Sequence, residues 1–352
     1  MLKSFRFLLF PFSLIYGAII VLRNYLFDKN IFKVTTFNFP IICIGNLATG
    51  GTGKSPMAEY LIALLQNKYQ VATLSRGYKR KTKGFAIADS RTTALEIGDE
   101  PMQFYLKFAK ATIAVGEERL SAIPQLLQAK PLTNVILLDD GYQHRSVLAG
   151  LNILLTDFNN LYSRDLLLPA GDLRDIKASA NRAQIIVVTK CNPILTRQQS
   201  EAIEKSLKLK QHQKIFFTAI SYDVPYHLFT KETYLLTPEV NVLLLTGIAN
   251  PYPLKDYINK HSKSYDLLKY TDHHIFNSND LIDIKKNFEK ITSKQKVIIT
   301  TEKDAVRLTK FQNQISQLPI YVLPIKQQFL LGGDVAFNKH VVQFIDSFAN
   351  KA

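Results

Sequence analysis

The sequence predicts an α/β protein with a doubly wound parallel sheet, a second, smaller α/β domain and an amino-terminal membrane-associated helix. Short β-branched runs alternate with stretches of helical spacing, and one such run leads into a glycine-rich turn. A Tyr-, Pro- and Thr-rich stretch separates this pattern from a second alternating region. The expected divisions are a helix over 1–30, a core domain over 31–225, a linker over 226–240 and a smaller domain over 241–352.

The amino terminus contains an uncharged run dense in Phe, Leu and Ile from Phe7 to Leu22, flanked by Lys3, Arg6 and Arg23. The run is shorter than the about 20 residues of a typical membrane span, and no small-residue cleavage site follows it. We therefore expect a helix that lies in or dips into a membrane interface, with its basic flanks near anionic headgroups. The alternative is a helix buried against the protein's own core.

A phosphate-binding loop follows the first predicted strand, where the chain reads Ile-Gly-Asn-Leu-Ala-Thr-Gly-Gly-Thr-Gly-Lys-Ser up to Ser55. The glycines let backbone N–H groups converge on phosphate oxygens, Lys54 adds a positive charge, and the Ser55 hydroxyl can hold Mg²⁺. Ala48 stands where the strict motif has glycine, and the alternative is a plain turn with an exposed lysine. The pattern predicts a P-loop NTPase-like core whose nucleotide-binding residues are Ala48, Thr49, Gly50, Gly51, Thr52, Gly53, Lys54 and Ser55.

Further elements follow the loop in regular alternation. A helix is expected over Met57 to Gln66 and a polar helix over 196–212. Other apolar runs are too short and too β-branched for independent helices. They indicate buried strands at Val71 to Leu74, Thr112 to Val115, Val135 to Leu138, Ile153 to Leu155, Ile185 to Val188, Ile215 to Ile220, Val242 to Leu245, Val297 to Thr300 and Ile320 to Leu323.

Two adjacent acids, Asp139 and Asp140, follow the apolar run 136–138, where open α/β sheets place their ligands. This pattern resembles a Walker B segment, in which a carboxylate binds Mg²⁺ directly or through water. An Asp-Asp-Gly turn is the alternative. Gln143 and His144 follow at once and lie near the same strand end, although a lone histidine beside arginine is more typical of a surface position than of a catalyst.

Three other segments combine charged and polar groups but are ambiguous on their own. Asp99 before Glu-Pro is a normal helix cap, and the basic loop 75–81 could grip an anion or be solvated. The loop 168–175 carries acid and base together. The pair His273 and His274 has no metal-ligand partner at helical spacing, so we do not expect zinc.

Charge and composition narrow the classes of partner. Lys and Arg outnumber Asp and Glu by 44 to 29, giving a net charge of +15 that attracts nucleic acid, acidic lipid or a phosphorylated substrate. No zinc-type cysteine spacing, RNA-binding aromatic signature or long arginine run is present, so nucleic acid is disfavoured. The only cysteines, Cys43 and Cys191, indicate a reducing compartment. Asn192 stands where a guanine-reading aspartate would follow Thr189-Lys190, which favours ATP over GTP.

Several of these segments together resemble the tetraacyldisaccharide 4'-kinase (lipid A 4'-kinase) family, and they occur in the family's order over nearly the whole chain. They are Gly45 to Pro56, Leu74 to Tyr78, Gly98 to Pro101, Asp139 to His144, Leu168 to Gly171 with Leu173-Arg174, Asp272 to His274, and Thr301 to Ala305.

The resemblance implies an ATP- and Mg²⁺-dependent kinase that phosphorylates the 4'-hydroxyl of tetraacyldisaccharide 1-phosphate to give lipid IVA. It implies that the partners are this acylated lipid and the inner-membrane surface at its cytoplasmic face, with no nucleic acid and no obligate protein partner. An ATP- or GTP-driven switch or chaperone is the alternative, and a non-catalytic lipid-binding scaffold is a more distant one. The missing guanine clamp and the absence of a dimerisation or switch signature in the sequence count against the switch. Binding lipid alone would not require the loop lysine, the hydroxyl and the tandem acids together, which counts against the scaffold.

The resemblance also implies roles for individual residues. Asp99 would be the base acting on the 4'-hydroxyl, with His273 rather than His274 supporting it. The family usually has Glu where Asp175 stands and Pro where Asp172 stands. The full implied set is catalytic Asp99, His273, Lys54, Asp139 and Asp140; substrate-binding Asn46, Arg76, Arg119, Gln143, His144 and Arg174; and metal-binding Ser55, Asp139, Asp140 and Asp175.

Overall fold

The computed structural model describes residues 6–349, so the predicted flanking residue Lys3 lies outside the described residues. The strands are β1 (Thr35–Thr36), β2 (Ile41–Asn46), β3 (Val71–Ser75), β4 (Ala86–Ile87), β5 (Thr112–Val115), β6 (Val135–Asp139), β7 (Val147–Leu148), β8 (Leu151–Asp157), β9 (Ile185–Thr189), β10 (Lys214–Tyr222), β11 (Tyr226–His227), β12 (Asn241–Thr246), β13 (Ser264–Lys269), β14 (Lys296–Thr301), β15 (Ile320–Leu323) and β16 (Ile325–Phe329).

The α-helices are α1 (Phe10–Asp28), α2 (Lys54–Leu65), α3 (Ala94–Ile97), α4 (Asp99–Lys107), α5 (Arg119–Ala129), α6 (Arg197–Leu207), α7 (Tyr252–His261), α8 (Ser278–Lys290), α9 (Glu302–Leu308), α10 (Gln312–Ile315) and α11 (Gly333–Ala349). Short 3₁₀ turns cover Phe7–Leu9, Lys177–Arg182 and Thr309–Phe311. The described chain divides into two compact units, a first unit of residues 6–92, 104–220 and 327–349 and a second unit of 93–103 and 221–326.

The first unit is built on a nine-stranded sheet with the order β16-β10-β9-β8-β2-β6-β3-β5-β4. The strands from β10 to β5 pair in parallel, and β4 joins β5 antiparallel. Every residue of β2 is buried, as expected for a strand covered on both faces. Since the neighbours of β2 run parallel to it, the carboxyl ends of β2, β6, β8 and β9 share one edge of the sheet. The predicted α/β class and parallel sheet are confirmed.

Helices cover both faces of this sheet and bury two separate apolar layers. On one face, α2 contributes Met57, Leu61 and Ile62, and on the other α5 contributes Ile123 and Leu126. Such two-sided covering explains why the strands are continuous apolar runs rather than alternating ones.

The carboxyl-terminal residues belong to the first unit rather than to the smaller domain expected over 241–352. Phe337, Val341 and Ile345 of α11 are buried in the same apolar layer as α2. Their spacing of four residues places them on one helix face, and burying this face against the first sheet removes it from water. Residues 93–103 likewise belong to the second unit, although they fall inside the expected core domain.

The second unit is built on a five-stranded sheet with the order β11-β15-β14-β12-β13, parallel except for the antiparallel pair β11 and β15. The expected linker over 226–240 is part of this unit. It supplies β11, and its apolar residues Leu228, Leu236 and Val240 are buried in the core. The Tyr- and Pro-rich composition of this segment therefore reflects irregular structure that is packed into the second unit, not a linker.

Helix α1 tolerates Pro11 because the proline lies in its first turn, where no intrahelical donor is lost. Its buried residues are Ser13, Gly17 and Asn24, and its apolar residues mostly face outwards; Ile15 and Ile19 are 61% and 60% exposed. The structure therefore does not support the alternative of a helix buried in the core. The segment Phe7–Asp28 has the length and composition of a helix that could cross a membrane.

Gly45 in β2 permits a close approach that an added methyl group would prevent. A Cβ at this position would lie 2.4 Å from the Cβ of Tyr142 and 3.1 Å from its backbone nitrogen. We expect Gly45→Ala to lower the free energy of unfolding by about 1–3 kcal/mol, because overpacking forces the backbone to shift. Urea unfolding followed by circular dichroism measures the change. Gly51→Ala is the control, since nothing lies within 4 Å of its Cβ; equal effects of both substitutions would contradict the argument.

Candidate active site

The phosphate loop lies between β2 and α2, at the carboxyl edge of the first sheet. Gly50 and Gly53 have φ values of 91° and 83°, a conformation that side chains rarely adopt. Ala48 instead forms an antiparallel β-bridge with Leu173, and its carbonyl oxygen accepts a hydrogen bond from Asn46 Nδ2 at 2.7 Å. Because Ala48 is extended, it does not need the freedom of glycine. The departure from the strict motif is thereby explained.

The segment 172–174 fixes one side of the loop by backbone hydrogen bonds. The N–H of Thr49 donates to the carbonyl of Asp172 at 2.7 Å, and the N–H of Arg174 donates to the carbonyl of Leu47 at 2.7 Å. These bonds satisfy loop groups that would otherwise be open, and they place the Arg174 side chain at the loop.

The end of β9 and the strand β16 fix the other side. Thr189 Oγ1 donates to the carbonyl of Thr52 at 2.9 Å, and Gln327 Nε2 donates to the carbonyl of Gly53 at 3.3 Å. The loop is thus preorganised on both sides, with its backbone N–H groups at the start of α2, a favourable position for phosphate.

Four of the predicted side chains come together beside the loop. Lys54 Nζ lies 3.3 Å from Asn46 Oδ1 and 3.7 Å from Asp140 Oδ1. Arg174 donates from Nη2 to Asn46 Oδ1 at 2.6 Å, and both of its terminal nitrogens contact the Asp140 carboxylate. The cluster holds two cations and one anion, a balance that suits polyphosphate.

Asp140 stays ionised within this cluster. Burial acts to raise its pKa, but the charge of Lys54 and the hydrogen bond and charge of Arg174 outweigh burial and lower the pKa. Asp140 also has a φ of 51°, so the chain turns sharply directly after β6.

Asp139 and Asp140 provide a carboxylate set that fits Mg²⁺. Asp139 is buried at the end of β6. Ser55 is the second residue of α2, which follows the phosphate loop after the neighbouring strand β2. Among the described residues, no group of three or more His, Cys, Asp or Glu side chains forms a metal site. One or two carboxylates with a hydroxyl are nevertheless the donor set that Mg²⁺ uses when phosphates and water complete its shell.

Arg119 and His144 lie near the tandem acids. Arg119 is buried and contacts the carbonyl oxygen of Gly116 through Nη1, while its Nε and Nη2 have no hydrogen-bond partner within residues 6–349. Burial lowers its pKa to about 10. Burial, and then the charges of Arg119 and Arg76, lower the pKa of His144 to about 4, so this imidazole is neutral at pH 7. Arg119 thus carries free donors for an anion.

Gln143 joins the loop cluster through its side chain. Its Nε2 donates to the backbone carbonyl of Asn46 at 2.7 Å, and the backbone carbonyl of Gln143 accepts from Arg23 Nη2 of α1 at 2.7 Å. The amino-terminal helix therefore contacts the chain beside the predicted substrate-binding residues.

Asp175 has a structural environment. Its Oδ1 accepts from Asn24 Nδ2 at 2.9 Å, from Ser179 Oγ at 2.7 Å and from the N–H of Ile176 at 2.8 Å, and its Oδ2 accepts from Arg182 at 3.2 Å. Four protein donors therefore hold this carboxylate, and Asp175 is only 1% exposed. The position implied for Mg²⁺ binding instead ties α1 to the loop after Arg174.

In the second unit, Asp99 begins α4 and His273 lies in the loop after β13. His273 Nδ1 is 3.0 Å from Asp99 Oδ2, and Arg307 Nη2 is 2.6 Å from the same oxygen. Burial acts to raise the pKa of Asp99, but the hydrogen bonds and charges of His273 and Arg307 lower it to about 2. The predicted pair is therefore in contact, and His273 holds a φ of 62°, which is strained for a residue with a side chain.

His274 takes a different position. Its Nε2 lies 2.9 Å from Asp280 Oδ2, and its ring stacks on Tyr270 at 4.6 Å between centroids. Asp280 also accepts the N–H of Asn277 at the start of α8, so His274 belongs to a helix cap. Of the two adjacent histidines, His273 is the one that contacts Asp99.

Arg307 was not among the residues singled out from the sequence. The segment Thr301 to Ala305 stops two residues before it, and one arginine is inconspicuous in a helix that carries three other charged residues. The available signal was its spacing, since residue 307 lies on the same face of α9 as Asp304, three positions earlier.

Comparison with known proteins identifies one matching protein family. The model of the family described as Tetraacyldisaccharide-1-P 4'-kinase matches residues 5–346. A tetraacyldisaccharide 4'-kinase of Flavobacterium johnsoniae is 47% identical over 343 residues, covering 97% of each chain. One of Bacteroides fragilis (strain YCH46) is 45% identical over 347 residues, covering 96% of this chain and 92% of the relative.

A solved structure is similar over the same length. The crystal structure of an Aquifex aeolicus protein of this kind in complex with ATP superposes with a TM-score of 0.76. The identity is 26%, and the match covers 98% of this chain and 100% of the other.

Proposed function

The chain belongs to the tetraacyldisaccharide-1-P 4'-kinase family, and from this premise we propose how its residues carry out the reaction. The protein is an ATP-dependent kinase that phosphorylates the 4'-hydroxyl of tetraacyldisaccharide 1-phosphate, a step of lipid A biosynthesis that yields lipid IVA. The hydroxyl oxygen forms a bond to the γ-phosphorus, the bond from that phosphorus to the β–γ bridging oxygen breaks, and ADP leaves with the electron pair.

The first unit binds ATP. The preorganised N–H groups of residues 48–55 cradle the phosphates, and Lys54 neutralises charge on the transferring group. Arg174 and Asn46 hold Lys54 and Asp140 in place by the contacts already described. Arg119, with two unpaired donor groups, and Arg76 supply cationic contacts for a phosphate of the nucleotide or of the lipid. His144, being neutral, can act there only as a hydrogen-bond partner.

Asp139, Asp140 and the Ser55 hydroxyl are the residues that would hold Mg²⁺. When bound, the ion would offset the negative charge that develops on the phosphates during transfer. Asp175 is left out of this set, because it is buried and held by four protein donors, whereas the Asp140 side chain is 38% exposed beside the loop.

Asp99 accepts the proton of the 4'-hydroxyl, and His273 supports it from the adjacent loop. The observation that carries this assignment is the contact of 3.0 Å between His273 Nδ1 and Asp99 Oδ2. A carboxylate with a pKa of about 2 is fully ionised at pH 7 and therefore available as the acceptor.

We propose that α1 binds the membrane surface that contains the acylated substrate. Its exposed apolar residues and the net charge of +15 both favour an anionic bilayer. A substrate with four acyl chains and a cytoplasmic ATP supply locate the reaction at the cytoplasmic face of the inner membrane.

A transfer assay tests the reaction and the base together. With γ-labelled ATP, Mg²⁺ and detergent-dispersed tetraacyldisaccharide 1-phosphate, the wild-type protein should place label at the 4' position. Asp99→Asn should slow transfer by about 10²–10⁴-fold, because the variant lacks the proton acceptor. Asp256→Asn, a surface carboxylate paired with Lys260, is the control and should remain active. Phosphate release without labelled lipid would instead support a nucleotide-driven switch.

The Mg²⁺ requirement separates Asp139 from Asp175. We expect Asp139→Asn to raise the Mg²⁺ concentration for half-maximal transfer by about tenfold or more, since a ligand is weakened. Asp175→Asn should lower thermal stability without moving this concentration. A Mg²⁺ titration of the transfer rate for each variant measures the effect, and a raised requirement in the Asp175 variant alone would reverse the two assignments.

Co-sedimentation with vesicles containing phosphatidylglycerol tests the membrane role of α1. The double variant Ile15→Ser and Ile19→Ser should bind fewer vesicles than the wild type, because it loses apolar surface from the exposed face. Ile275→Ser with Ile282→Ser is a matched control, as these isoleucines are 62% and 63% exposed in the second unit. Equal loss in both double variants would argue against α1 as the binding element.

A further inference from the structure

Arg307 is a buried arginine whose guanidinium connects the residues around Asp99. Its side chain is 7% exposed, and it lies on α9. Nη2 is 2.6 Å from Asp99 Oδ2 and 3.0 Å from His273 Nδ1, while Nη1 is 3.4 Å from Asp304 Oδ1. A single nitrogen thus faces both members of the predicted catalytic pair.

Asp304 fixes the other side of the guanidinium. It is fully buried, and its Oδ2 accepts from the N–H of Gly247 at 2.9 Å and from Thr301 Oγ1 at 2.7 Å. Thr301 also caps α9, because its Oγ1 accepts the N–H of Asp304 at 3.1 Å. Arg307 is therefore held between a rigid carboxylate and Asp99, and it can move little without losing one of these two contacts.

The hydrogen-bond roles at Asp99 Oδ2 are not equivalent. Arginine only donates, whereas His273 Nδ1 donates to Asp99 when it carries a proton and accepts from Arg307 when it does not. Nδ1 cannot do both at once. The contact from Arg307 to Asp99 is the one that persists in either protonation state of His273.

We propose that Arg307 is a positioning residue for phosphoryl transfer: it holds Asp99 as a carboxylate through Oδ2, whatever the state of His273, and leaves Oδ1 to take the proton of the hydroxyl. The inference rests on the proposed role of Asp99 as the base. Within residues 6–349, the hydrogen bonds from Arg307 and His273 to Asp99 both go to Oδ2 and not to Oδ1.

The charges around Asp99 agree with this role. Arg307 and His273 are the cationic or ionisable groups in contact with it, and Asp304 partly offsets Arg307 from behind. Asp272 lies 4.0 Å from His273 Nε2 and is exposed, and Lys303 is already paired with Glu100 at 3.0 Å. Removing the charge of Arg307 would therefore leave a half-buried carboxylate whose pKa rises, because burial favours the protonated form.

The test compares pH profiles of kcat/KM for lipid phosphorylation in the wild type, Arg307→Gln, Arg307→Lys and Lys303→Gln. For Arg307→Gln we expect the midpoint of the acid limb to move up by about one pH unit or more, with activity below it falling about tenfold per pH unit. Arg307→Lys keeps the positive charge but loses the planar pair of guanidinium donors. The midpoint of its acid limb should therefore stay near that of the wild type while kcat falls. Lys303→Gln removes a cation from the same helix and should leave the midpoint unchanged.

Each outcome decides the question. A uniform loss of kcat in Arg307→Gln with an unmoved acid limb would show a purely structural role and overturn the proposal. If thermal denaturation shows that Arg307→Gln is not folded, the Arg307→Lys variant provides the test. An acid-limb midpoint that moves to higher pH in this folded variant would also overturn the proposal, because its charge is retained. Absence of lipid phosphorylation in the wild type would contradict the proposed function instead, so the two failures are distinguishable.

Discussion

Backbone hydrogen bonds between the phosphate loop and residues 172–174 are the interaction on which the rest of the first unit's site depends. They hold Ala48 extended, and they carry Arg174 to Asp140 and Asn46. The same segment is held from its other side by α1, where Tyr16 donates to the carbonyl of Arg174 at 2.9 Å. The helix proposed to bind the membrane and the loop proposed to bind nucleotide therefore share one short stretch of chain as their support.

The two carboxylates assigned to the chemistry are stabilised in the same way. Asp140 is held by Lys54 and Arg174, and Asp99 by His273 and Arg307; in both cases the paired groups together outweigh the burial that would favour protonation. Arginine suits this task, because its fork contacts a carboxylate and a second acceptor at once and it does not lose its proton. For Arg174 the second acceptor is Asn46, and for Arg307 it is Asp304.

The sequence predicted local features and missed those that depend on tertiary packing. The phosphate loop, the strand bearing Asp139 and the apolar strands could be predicted, because glycine spacing and β-branched runs act over a few residues. The packing of α11 against the first sheet could not be predicted, since the pattern of an amphipathic helix shows which face is buried but not against which sheet. For the same reason the sequence did not single out Arg307 and did not show that Asn24, Ser179 and Arg182 hold the buried Asp175 carboxylate.

The return of α11 has a consequence for how the chain folds as it is synthesised. Phe337, Val341 and Ile345 complete an apolar layer whose other members, such as Met57 and Leu61, leave the ribosome almost 300 residues earlier. Until α11 has been synthesised, that layer of the first unit stays incomplete and partly open to water, although residues 221–326 of the second unit have already been made. The nascent chain therefore exposes two apolar surfaces at once, the incomplete layer and the outward face of α1, and it needs protection from aggregation until α11 emerges.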